Sequence, residues 1–163
     1  MNKNWKKGIF FLLLFLAVMP MIHMYREQRM QKEIAEKILR FHVIANSDSR
    51  EDQELKLKVR DAVGHYMKDQ MKEVTNRKEA EETANANLKK IEKVAEDVIA
   101  KEGRSYTVNA FIGPVDFPVK TYGAYSFPAG TYEAVEVVIG EGAGKNWWCV
   151  MYPNMCFRGA CMR

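Results

Sequence analysis

A chain of 163 residues with 47% apolar composition is long enough for one domain with its own core once the first two dozen residues are set aside. Its net charge of +4 is confined to the amino end: residues 1–49 carry eight Lys/Arg against four Asp/Glu, and residues 50–163 carry seventeen of each. A nucleic-acid groove needs basic side chains clustered on one face of the folded domain, so this balance argues against that class of partner.

Lys3, Lys6 and Lys7 precede the apolar run Gly8 to Met19, the pattern of an export signal. The apolar stretch from Ile9 to Tyr25 is 17 residues long, or about 26 Å at about 1.5 Å per residue, just short of a roughly 30 Å hydrocarbon core. No small-x-small cleavage site follows, and Pro20 and His23 weaken a full span. A cleaved signal peptide and a short uncleaved anchor both fit. Residues 1–25 are read as this segment, which meets the membrane through its helix, 26–37 as a helical stalk and 38–163 as the domain.

Leu39, Phe41, Val43 and Ala45 alternate with Arg40 and His42, the period of a strand with one buried face. Asn46-Ser47-Asp48-Ser49 then favours local side-chain to backbone hydrogen bonds, and Ser49 with Asp52 predicts a capping box for a helix from Arg50. Its apolar stripe is Leu55, Val59, Ala62, Val63, Tyr66 and Met67, with Lys56 and Arg60 off it. Asn76 is placed to cap a second helix from Arg77 to about Glu102, ended by Gly103, with Leu88, Ile91, Ala95, Val98 and Ile99 as its stripe. Period two returns at Tyr106 to Ile112, Val119 to Tyr125 and Val135 to Ile139, three strands whose short connections predict antiparallel pairing. The fold class is α+β: an amino-terminal membrane or signal helix, then a β-α-α-β-β-β domain with a helical hairpin on an antiparallel sheet.

The glycine-rich stretch Gly140 to Gly144 lacks the spacing and the following helix of a phosphate loop and reads as tight turning before Trp147-Trp148. Adjacent residues in extended structure face opposite ways, so one tryptophan can fill the core while the other projects. Cys149, Cys156 and Cys161 have neither Cys-x-x-Cys spacing nor a nearby histidine, so no metal site is read there. Outside the cytoplasm Cys149 and Cys156 would close a loop of about eight residues, worth roughly 2.5 kcal/mol if unstrained, with free thiols as the alternative and Cys161 left over. Asp48, Glu51 and Asp52 lack a calcium-loop spacing and serve better as caps. A thiol nucleophile at Cys149 with His42 as base and Asp48 as orienting group is the sharpest enzymatic arrangement the residue types suggest. His42 reads more simply as a half-exposed strand histidine.

Arg40 to Ser49, continued by Asp52-Gln53 and Leu55 to Asp61, resembles the first signature of the stage II sporulation protein R family of endospore-forming bacteria. Phe127 to Tyr132, then Ile139-Gly140, Gly142, Gly144 and Asn146 to Val150, followed by Pro153, Cys156 and Phe157, resembles the second. Members of the family usually continue with another strand, so this chain reads as short at its carboxyl end. The resemblance implies a protein made in the forespore that crosses into the intermembrane space and triggers a membrane-embedded aspartic protease of the mother-cell septal membrane. That protease then cleaves the precursor of sigma-E. It implies a ligand and not an enzyme, with no cofactor, no small-molecule substrate and no nucleic acid. Asn46, Asp48, Trp147 and Trp148 are the candidate partner-binding residues. A thiol hydrolase and a cell-wall-binding module with exposed aromatics are the alternatives.

Overall fold

Caps fix where the helices begin and end. In the computed structural model, which describes residues 3–155, helix α1 spans Lys3–Ala35 and strand β1 Leu39–Ile44, and α2 (Arg50–Gln70) starts where the Ser49 hydroxyl accepts from Asp52 N. Helix α3 (Arg77–Ala86) starts where Asn76 accepts from Glu79 N, while the Glu79 carboxylate reaches back to Thr75 N at 2.8 Å. Helix α4 (Leu88–Lys101) closes with Gly103 at φ +71°, Arg104 N donating to Ile99 O and Gly103 N to Ala100 O, a Schellman arrangement. The single helix read between Arg77 and Glu102 is two. At Asn87 the side chain donates to Thr83 O and accepts from the Tyr66 hydroxyl, so this polar residue ends one helix and begins the next.

The strands that follow are β2 (Val108–Phe117), β3 (Lys120–Tyr122), β4 (Tyr125–Phe127), β5 (Gly130–Ile139) and β6 (Asn146–Tyr152). The four longer strands form a sheet in the order β2-β5-β1-β6, and β3-β4 is a separate two-stranded hairpin. β1 runs parallel to β5 and antiparallel to β6. The sheet is therefore mixed, not antiparallel as the short connections suggested, because the three helices between β1 and β2 carry the chain across the sheet and leave the place beside β1 for β5. A strand also occupies 146–152, beyond the last strand read from the sequence.

One face of the sheet carries Phe41, Val43, Val135, Val137 and Ile139 and is buried together with Val59, Val63 and Met67 of α2 and Ile91, Ala95 and Ile99 of α4. The stripes expected on these helices are the ones buried. The other face is partly covered by the β3-β4 hairpin, whose Tyr122 donates to Trp148 O at 2.9 Å. Helix α1 runs unbroken through Pro20 from the apolar segment into the expected stalk, and its apolar side chains from Ile9 to Tyr25 are largely exposed. By length and composition it can cross a membrane. Near its end Gln31 Nε2 donates to Thr131 O at 3.0 Å, tying it to the start of β5.

Candidate functional site

The turn after β1 and the glycine-rich loop before β6 are far apart in the chain and fastened together in the fold. Asn46 Nδ2 and Ser47 Oγ both donate to Asp52 Oδ2, at 2.8 and 2.6 Å, and Ser47 Oγ accepts from Ser49 N. Asp52 thus serves the preceding turn and does not return a bond to Ser49, so only half of the expected capping box exists. Across the junction, Asn46 Oδ1 accepts from Glu141 N at 3.0 Å and Asp48 Oδ1 from Lys145 N at 2.8 Å, while Gly144 N donates to Ala45 O. Lys56, which lies off the apolar stripe of α2, is nevertheless buried and donates to Lys145 O at 2.8 Å and to Gln53 Oε1. Burial pushes its ammonium below the ordinary lysine range. Burial alone would raise the Asp52 carboxyl, but bonds from Ser47, Asn46 and Tyr106 and the charge of Arg104 hold it low.

The glycines are required by this closeness. A Cβ on Gly144 would lie 2.3 Å from Ser47 O, and Gly140, at φ +56°, would place one 2.2 Å from Asn46 Oδ1. Asn46 and Asp48 are therefore both spent on the lock between two loops.

Trp147 and Trp148 leave this lock on opposite faces of β6, as alternation requires. Each is half-buried, so the division into one core and one projecting tryptophan does not hold: both faces of the sheet have cover. Trp147 meets Phe41 edge to face at 5.9 Å, and the Arg60 guanidinium lies 4.9 Å from its ring centre. Trp148 stacks on His42 at 4.9 Å and meets Phe117 at 4.6 Å.

His42 and Arg40, on the face the alternation assigned to solvent, are 2% and 0% exposed. The Arg40 guanidinium sits 4.2 Å from the Phe117 ring centre, 5.0 Å from Tyr132 and 5.3 Å from Phe127. Two of these rings come from strands β2 and β5, and the third from the hairpin. His42 Nε2 meets the Glu136 carboxylate. Burial, reinforced by the Arg40 charge, drives the His42 pKa down to about 4, and burial raises that of Glu136. No signal in the alternation marks this buried cation; only the excess of aromatic residues in the later strands hints at it.

The thiol-hydrolase arrangement is not assembled. Cys149 is opposite Phe41 in the strand register, on the helix-covered face, whereas His42 lies on the other. Cys149 is also fully buried and disulfide-bonded, which removes the free thiolate that nucleophilic attack needs. Cys156, its expected partner, and Cys161 lie outside the described residues. Asp48 and Asp52 engage protein donors, and among the described residues no three His, Cys, Asp or Glu side chains are grouped to hold a metal.

Compared with known proteins, residues 35–161 match the model of the family described as Stage II sporulation protein R. The chain is 35% identical over 150 residues to the Stage II sporulation protein R of Bacillus subtilis (strain 168), covering 90% of this chain and 67% of that protein. No solved structure matches.

Proposed function

This chain belongs to the stage II sporulation protein R family, and on that premise we propose that it is an exported signalling protein that activates a membrane-embedded aspartic protease in the mother-cell septal membrane, leading to processing of the sigma-E precursor. It acts as a ligand. The observation that carries this reading is the lock: the two family blocks, almost a hundred residues apart, meet in a rigid surface held by Asn46, Asp48 and Lys56, with Trp147 and Trp148 beside it. Such a surface presents a fixed shape, and half-buried tryptophans are the side chains from which protein interfaces draw most of their energy. The apolar helix supplies the route across the forespore membrane, and the balanced domain follows it while the amino-terminal lysines stay inside.

The alternatives lose support at specific residues. A buried, disulfide-bonded Cys149 does not serve a thiol hydrolase. A glycan platform needs open aromatic faces, and each tryptophan has one of its two faces engaged, Trp147 by Arg60 and Trp148 by His42. The test is co-expression in vegetative cells of this chain, the aspartic protease and the sigma-E precursor. Cleavage is expected only when all three are present; cleavage without the protease, or none with all three, would overturn the reading.

A further inference from the structure

The stalk end of α1 and the edge of the domain beside it enclose a groove of about 620 Å³ whose walls include Met24 and Gln28 on the helix and Val119, Pro128, Ala129 and Gly130 on the domain. The groove is held shut at one end. Gln31 donates to Thr131 O, and a Cβ on Gly130 would lie 2.5 Å from Gln31 Nε2, so the Gln31 side chain lies directly against the start of β5. This fixes how high the domain stands above the membrane. Met24 is within the apolar run that ends at Tyr25, and Gln31 is six residues further on, about 9 Å along the helix. The headgroup layer of one leaflet is about 5–7 Å thick. A wall that reaches Met24 therefore stands in that layer whenever the helix is inserted, and Val119, 61% exposed, is on that wall.

We infer that the edge formed by Val119, Pro128 and Ala129 rests in the bilayer that anchors α1, with phospholipid filling the groove. The occupant follows from continuity: the exposed apolar side chains of α1 lead through Met24 into the groove, whose domain wall is Val119, Pro128 and Ala129, while Glu27 and Gln28 on the helix wall lie at headgroup level. Lipid contact would orient the domain relative to the membrane and direct the lock away from it, because β5 leaves Gly130 and ends at Ile139, beside Gly140 of the glycine-rich loop.

The test uses the full chain in vesicles of phosphatidylethanolamine and phosphatidylglycerol, with the photoreactive residue p-benzoylphenylalanine at position 119 or at position 111. Phe111 is also exposed but pairs with Glu136, six residues along β5 from Gly130, about 20 Å from the proposed contact. Lipid adducts identified by mass should be several-fold more abundant at 119 than at 111. Equal yields from chain that floats with the vesicles, or a chain that does not associate with them, would overturn the inference. It requires an attached, inserted α1 but not the protease role, and the vesicles contain no protease, so the two readings can fail separately.

Discussion

On its helix-covered face β1 sets Phe41 and Val43 among the aliphatic side chains of α2 and α4; on its other face the same strand sets Arg40 among aromatic rings and His42 between Trp148 and Glu136. Both sets are buried, by different means. The first needs only apolar area removed from water, which is non-directional and tolerant of detail. The second must compensate a guanidinium and an imidazole for lost hydration, through ring faces for the cation and a carboxyl for the imidazole, so it depends on geometry. One face stabilises the domain; the other fixes where Phe117, Trp148 and the hairpin lie.

The largest effect expected from breaking this comparison is on the aliphatic side. Phe41→Ala removes a fully buried ring and should lower stability by about 3–5 kcal/mol in a denaturant melt. Next comes acid. His42 has a folded pKa of about 4 against 6.5 for the free side chain, so between those values the unfolded chain binds a proton that the folded chain does not. Its contribution is complete above pH 6.5 and falls by about 3 kcal/mol as the pH drops to 4. Glu136, raised by burial, opposes this above its ordinary value, so the useful quantity is the difference in pH slope between wild type and His42→Gln. The variant should be flatter over pH 4–6.5; an identical slope would show that His42 is not the group held neutral.

Arg40→Lys keeps the charge and loses the planar stacking surface, for an expected loss of about 2 kcal/mol. A melt unchanged by it would mean that charge alone suffices in the cage. The smallest effect sharpens the account of the lock. Ser49→Ala removes one cap hydrogen bond, worth about 1 kcal/mol, whereas Asp52→Ala strands the donors of Asn46 and Ser47 as well and should cost more. Equal thermal midpoints for the two variants would reduce Asp52 to an ordinary helix residue.

The aliphatic face was legible because its signals are local. The alternation through Phe41 and Val43, the caps at Ser49 and Asn76 and the stop at Gly103 depend only on neighbours in sequence, and the structure has each of them. The other face was not. Alternation assigns Arg40 and His42 to solvent because it cannot register that Phe117, Phe127 and Tyr132, 77 to 92 residues after Arg40, cover them. The parallel pairing of β1 with β5 was hidden for the same reason: connection length constrains successive strands, and these two are not successive. Asn46, Asp48, Trp147 and Trp148 were named as candidate partner-binding residues. Residue types alone gave no sign that the first two are spent fastening the turn to Glu141 and Lys145.

The proposed role depends most on the side of the membrane from which the domain acts. In vegetative cells making the aspartic protease and the sigma-E precursor, the chain as it stands can be compared with one lacking residues 3–25, which keeps the domain in the cytoplasm. The account predicts precursor cleavage with the first and none with the second at equal protein levels. Equal cleavage by the cytoplasmic form would contradict it.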